Sequence, residues 1–467
     1  MNKKIILSGV GALLVGGGVA AYTLLNKTPK EEYFLAELNT IESAIEFFSE
    51  RYEPEVKWYE TQSEKPTENN FSISGNIDAY DEMASILNGA TLNVTTLNDP
   101  KNSESAIKLD ASLFDIETEQ VGLYLTKDKI VAEVPFQEAL ELDLNNIGDF
   151  LEITTGDNLC LENVDIHKFI GTTSPIGKEE QEYVKKTYGK ALLKSLPDDA
   201  FTKEDDKITM NLKGSDVQNA LEDLLKKALS DKKILSLIDE LSLLSDPCAE
   251  LDSTELLKDI LDEVESTDFD FKIKSVIWVE DNIVVKREVT IDTVQLKGEL
   301  SIDKDLTFKY SLHDTEFDET VGTLEGKFGS GKNFEDEVTL SGYGETLAEY
   351  YGEESLKNDT RTFDRSINIL AGYEDEFELS WSGETEFEGD STVGEHELSF
   401  YSSYTGPLSI LVETDSKVIK KIDLPSDSIN LTDMSESELE EYFSGEFLEN
   451  FYNWAEGRFE GLEYLFY

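Results

Sequence analysis

From Asp268 to Leu424 apolar residues recur at alternate positions, and Gly, Asn and Asp punctuate the alternation throughout. Successive side chains of a strand point to opposite faces, so this pattern calls for strands with one apolar and one polar face. "FKIKSVIWVEDNIVVKREVTI" reads as a hairpin with Asp281-Asn282 at its tip, and "VQLKGELSIDKDLTFKYSL" as another turning near Asp303-Lys304. "EFELSWSGETEFEG" and "HELSFYSSYTGPLSILVE" continue the meander. Half-buried strands of this kind assemble into antiparallel sheets.

The same period governs Phe71 to about Val134. Ile107, Leu109, Ala111 and Leu113 alternate with polar neighbours, and "VGLYLTKDKIVAEV" predicts a hairpin turning at Lys127-Asp128-Lys129. Between the two strand-rich stretches, residues 136 to 265 read as mostly helical. Helices are predicted over about 178–195, 232–245 and 253–265, with one strand at Lys207 to Lys213. In "SDVQNALEDLLKKAL", Ser215 and Gln218 have the spacing of a capping box; Ser435 and Glu438 repeat it ahead of a helical carboxyl terminus. Upstream, Phe34, Leu38, Ile41, Ile45, Phe48 and Tyr52 step by four and three, which is the seam of an amphipathic helix.

Ile5 to Leu25 contains no charged residue, and Lys3 and Lys4 precede it. At about 1.5 Å per residue the run spans a bilayer core as a helix, and the positive flank places the amino end inside. It reads as an uncleaved signal anchor; Val19-Ala20-Ala21 supplies a cleavage site for the alternative, a secreted chain. The expected fold class is therefore α+β: a transmembrane helix, then curved antiparallel sheets packed against helices. The expected divisions are an anchor over 1–30, a helix and linker over 31–70, and an α+β domain over 71–265. A β-rich region over 266–425, continuous with the preceding sheet, and a helical segment over 426–467 complete the chain.

Asp and Glu number 99 against 41 Lys and Arg, a formal net charge of −58 spread along the chain. Such a surface repels phosphate backbones and excludes nucleic acid as a partner. It is a solvated face, with weak collective binding of divalent cations as the sharper reading.

No residue is assigned a catalytic, cofactor or metal-binding role. The histidines, His167, His313 and His396, lack a nucleophile elbow or a zinc motif around them. "GKFGSGKNF" lacks the spacing of a phosphate loop. Acidic pairs such as those in "EDEF" and "EFDET" arise from composition alone in so acidic a chain. Cys160 and Cys248 are the only cysteines, and outside the cytoplasm they can pair. Val276, Trp278, Phe308 and Tyr310 are either the lining of an apolar cavity or plain core between sheet and helices.

The export segment, "YLTKDKIVAEVPF", "KITMNLKGSDVQNALEDLLKKAL", "VEDNIVVKREVTI" and the closing "INLTDMSESELEEYF" resemble a group of uncharacterised, envelope-facing proteins of low-GC Gram-positive bacteria. Five arginines against 36 lysines agree with an AT-rich genome. The arrangement is also similar to periplasmic lipid-carrier folds, in which a curved antiparallel sheet wraps around helices, although this chain is longer and has no lipobox cysteine. The resemblance implies a non-enzymatic, membrane-tethered protein outside the cytoplasm that binds a partner or an amphiphilic ligand. The alternatives are a structural envelope protein with a cation-screened acidic surface and a hydrolase with a carboxylate-based site.

Overall fold

The computed structural model describes residues 28–77, 88–113, 116–148, 150, 178–245, 252–370, 376–402 and 406–459. The described strands, 21 of them, belong to one sheet. Its centre is an antiparallel meander: β10 (Lys272–Glu280), β11 (Ile283–Ile291), β12 (Val294–Ile302), β13 (Leu306–Asp314), β14 (Glu319–Phe328), β15 (Asn333–Gly342), β16 (Glu345–Lys357), β17 (Thr360–Leu370), β18 (Glu376–Glu388), β19 (Ser391–Ser402) and β20 (Gly406–Val418). On one side β10 pairs with β9 (Lys207–Lys213), which pairs with β8 (Phe201–Glu204). On the other, β20 pairs with β1 (Thr67–Ile77), followed by β2 (Ala90–Asp99), β3 (Glu104–Leu113), β5 (Val121–Leu125), β6 (Lys129–Glu133) and β7 (Ala139–Asp143). β4 (Ile116–Glu117) caps the end of β3, and β21 (Ser428–Asn430) lies parallel to β7. Among the described residues β8 and β21 do not pair, so these pairings leave the sheet open, with short strands at both edges.

Turn chemistry holds the register. Asp281-Asn282 and Asn358-Asp359 take left-handed backbone conformations, φ between 49° and 65°, the geometry that tight hairpins need. The register shifts at three bulges, by Trp278/Val279, Leu312/His313 and Leu340/Ser341, and between them it is unbroken, so one face of the meander gathers the apolar positions. One row runs Ile277, Arg287, Gly298, Tyr310, Leu324, Leu340, Ala348 and Ile369 across β10 to β17. The row one residue over, Trp278, Lys286, Glu299, Lys309, Glu325, lies on the polar face.

Two helices lie on the apolar face. Helix α1 (Pro29–Arg51) begins with Pro29 behind a capping box of Thr28 and Glu31, and α2 (Glu53–Glu64) restarts at Pro54. Tyr33 and Phe34 join Phe201, Ile208, Met210, Leu212, Ile273 and Ile277 in the largest core. Helices α3 (Lys178–Ser195), α4 (Gly214–Ser230), α5 (Lys232–Ser245) and α6 (Ser253–Ser266) gather beside it, with Leu192, Val217, Leu224 and Val264 in the same core. Each such side chain, fully buried, contributes about 1.5–3 kcal/mol. At the far end, Ile422 after β20 packs with Leu97, Ala106, Tyr124 and Val131. α7 (Glu436–Tyr442) and α8 (Leu448–Phe459) are the last described helices, the former on the capping box of Ser435 and Glu438.

The expected fold class is corrected. The body is dominated by one antiparallel sheet, and the helices are accessory to it. No described helix is long and apolar enough to cross a membrane, which removes the support for membrane attachment through an amino-terminal helix; residues 5–25 themselves lie outside the described residues. The first strands extend the sheet from β20, at the end opposite to β10, because alternation marks a strand and its faces without naming its neighbour. The seam of α1 is also rotated. Ile45 is exposed, while Thr40 and Arg51 are buried, because each has a polar partner on the sheet. Gln218 does not cap α4; its amide donates to the carbonyls of Val264 and Thr267 and ties α4 to α6, while Asp216 supplies the cap.

Candidate functional site

The strands of the meander are longer than the cover that α1 and α2 provide. Through contacts such as Asn39–Asn282, Arg51–Asp336 and Glu55–Arg361 these helices lie over one end of the strands, and among the described residues they leave the other end of the apolar face open. In the open part, Ile367, Leu379, Phe400 and Leu408 form one register row on β17 to β20, with Trp381, Leu398 and Ile410 beside it. All seven are more than a third exposed. Leu92, Leu109, Ile107, Val121 and Leu123 carry the exposed apolar face onto β2, β3 and β5. Strands lie about 4.8 Å apart, so the four-residue row alone is about 15 Å long.

The boundary between covered and open face is a seam of buried charge. Arg51 at the end of α1 donates from Nη2 to Asp336 Oδ2 on β15 at 2.6 Å. Its Nε and Nη1 have no hydrogen-bond acceptor, but five rings surround the guanidinium: Phe334 at 3.7 Å from the ring centre, and Phe47, Phe48, Tyr52 and Phe328 at 5.3–5.8 Å. Ring faces attract the cation and stand in for the missing acceptors. Asp336 Oδ1 accepts from the Gly329 amide at 2.9 Å. Glu354, with no exposed side-chain surface, accepts from Arg365 Nε at 2.8 Å and from the Tyr52 hydroxyl at 2.9 Å, and faces Arg361 Nη1 at 3.5 Å. Arg361 also binds Glu55 on α2 and the Arg51 carbonyl. Further along α1, Glu37 accepts from Arg287 at 2.8 Å and Tyr33 meets Ser275 Oγ at 2.7 Å. Burial lifts the Tyr52 hydroxyl well above the usual tyrosine range, and the Glu354 charge adds to the effect.

Asp336 and Glu354 are thus buried carboxylates on neighbouring strands, as a hydrolytic site would need. Each is neutralised by arginine and sealed under α1 and α2, which is the environment of a structural lock. The seam was missed by sequence reasoning. Its signal was the scarcity of arginine: four of the five, Arg51, Arg287, Arg361 and Arg365, lie in it. A planar guanidinium can stack and bind a carboxylate at once, which an ammonium cannot.

The residues singled out from sequence fall in different places. Phe308 and Tyr310 are on the apolar face, where Phe308 stacks on Phe328 with ring centres 5.7 Å apart. Val276 and Trp278 are on the polar face, Val276 opposite Glu288 and Trp278 beneath Lys207 and Lys286. The sheet itself separates the two pairs. His396 is packed between Phe363 and Trp381, and burial lowers its pKa. His313 lies between the hydroxyls of Ser311 and Thr320, each at 3.0 Å. Cys160, Cys248 and His167 lie outside the described residues. Among the described residues, no group of three or more His, Cys, Asp or Glu could hold a metal ion.

Neither a protein-family model nor a curated protein matches the sequence. Among solved structures, the chain is similar to OpdQ of Pseudomonas aeruginosa at 6% identity and a TM-score of 0.24, over 76% of this chain and 97% of that one. It is similar to the outer membrane protein OpdK of the same organism at 7% and 0.23, over 76% and 98%. Salmonella typhi OmpF, in a complex with daunomycin, follows at 6% and 0.22, over 76% and 97%.

Proposed function

We propose that this is a non-enzymatic binding protein of the cell envelope, which holds the apolar part of an amphiphile on the open rows of its sheet. The observation that supports this reading is the row Ile367, Leu379, Phe400, Leu408, exposed on the same face that α1 and α2 cover elsewhere. Scattered exposed apolar residues need no explanation, whereas a contiguous apolar surface rimmed by polar residues marks an interaction site. The charge of −58 disfavours an anionic headgroup and favours a neutral, zwitterionic or cationic one. The uncharged stretch 5–25 behind Lys3 and Lys4 supports export from the cytoplasm.

The test is binding of a neutral fluorescent acyl probe below its micellar concentration. Leu379→Asp with Phe400→Asp should weaken binding tenfold or more. Val393→Asp, on the polar face, should leave it unchanged. Native mass spectrometry of protein purified from its own cells should show a stoichiometric amphiphile. A wild-type protein that neither binds the probe nor carries an amphiphile would overturn the reading and leave a structural envelope role.

A further inference from the structure

The two rims of the meander differ. At the rim beneath which α1 and α2 lie, the described tips are Asp281-Asn282, residues 303–305, residues 329–332, Asn358-Asp359 and Gly389-Asp390, and none carries an aromatic or branched aliphatic residue. At the opposite rim, Phe317 in the β13–β14 tip is 73% exposed and Tyr343 in the β15–β16 tip is 70% exposed. Val294, Leu312, Leu324, Leu340, Leu347 and Ile369 form an exposed apolar belt next to these tips.

This rim is built and held. The Thr315 amide and hydroxyl both donate to the Thr293 carbonyl, at 2.7 and 2.9 Å, which ties the β13–β14 tip to the β11–β12 tip. The Tyr343 amide donates to the Val321 carbonyl at 3.1 Å. Tyr343 also takes a left-handed backbone, φ 51°, followed by Gly344 at 84°. Asn and Asp occupy the equivalent positions in the turns at Asp281-Asn282 and Asn358-Asp359. A bulky aromatic there is a strained choice for the fold, of the sort retained where a side chain has work to do.

We infer that this rim docks on a lipid surface of low anionic charge, with Phe317 and Tyr343 entering the headgroup region. The two tips are two strand spacings apart, about 10 Å. Aromatic side chains with one apolar and one wet end suit the membrane interface. Asp292, Glu316, Asp318 and Glu345 stand beside them, so anionic headgroups, and a second copy of this chain, would be repelled. The inference goes beyond the amphiphile-binding reading and does not depend on it.

Flotation with phosphatidylcholine vesicles tests it. The full chain should float, and phosphatidylglycerol added to the vesicles should lower the bound fraction. Phe317→Ser with Tyr343→Asn should cut that fraction at least fivefold. Tyr343→Asn suits the left-handed turn, so the variant should melt no lower than the wild type. Phe317→Trp should retain binding. Soluble acyl-probe binding should not change in any of these variants, which separates failure here from failure of the amphiphile reading. A wild-type chain that stays with the vesicle-free fraction would overturn the inference. So would flotation indifferent to both tips, binding that rises with phosphatidylglycerol, or tips that instead mediate self-association or capture of a protein.

Discussion

Arg51 and Asp336, 285 positions apart, form an ion pair at 2.6 Å with 1% and 2% of their side-chain surface exposed. The pair joins the end of α1 to the middle of the meander. With Arg361, Arg365, Glu354 and Glu55 it sets where the helical cover of the apolar face stops.

Removing one partner strands the other charge in an apolar site. Arg51→Ala or Asp336→Ala should therefore destabilise the protein by about 3–5 kcal/mol, and Arg51→Met with Asp336→Leu by less than either alone. Arg51→Lys should not rescue, since an ammonium cannot stack flat on Phe334 while bonding Asp336. Urea unfolding at constant m-value reads all four variants. A single-alanine loss below about 1 kcal/mol would contradict a sealed pair.

Tyr33, Tyr52, Tyr124 and Tyr188 have their hydroxyl pKa values raised, in each case chiefly by burial, with carboxylate neighbours adding to it. The native state therefore holds protons that the unfolded chain releases near pH 10. Stability from these groups should be complete below pH 10 and fall as pH rises above it. Denaturant midpoints measured across this range should show the fall. Tyr33→Phe and Tyr52→Phe should each flatten it, at the separate loss of one hydrogen bond.

His396 shows the opposite sign. Burial lowers its pKa below the ordinary 6.5, so below that pH the unfolded chain binds the proton that the native state resists. Its contribution to stability should be complete above pH 6.5 and decline as pH falls toward the folded value. Histidine NMR titration locates the folded pKa, and His396→Gln should remove this part of the acid slope. A folded pKa at or above 6.5 would contradict the packing between Phe363 and Trp381.

Gly214 opens α4 where the chain leaves β9. A methyl group there would lie 1.7 Å from the Phe269 carbonyl oxygen, and the Gly214 amide donates to the Phe271 carbonyl at 2.8 Å. Gly214→Ala should cost about 1–3 kcal/mol through backbone displacement, despite the better helix propensity of alanine. A thermal melt that rises in this variant would show that the β9–α4 corner yields.

Sequence alone determined what depends on near neighbours. The strand period, the tips at Asp281-Asn282 and 303–305, the strand Lys207–Lys213, the helix Lys178–Ser195 and the Ser435–Glu438 cap follow from residues within a few positions of one another. The pairing of β20 with β1, the burial of Thr40 in place of Ile45 and the convergence of four arginines were decided by tertiary structure. So was the separation of Val276 and Trp278 from Phe308 and Tyr310. The run Val276-Ile277-Trp278-Val279 is apolar on both parities, and only the β10–β11 register says which face each side chain takes. Alternation is a property of one strand, whereas partner choice and the neutralisation of buried charge depend on side chains hundreds of positions away that the fold alone brings together.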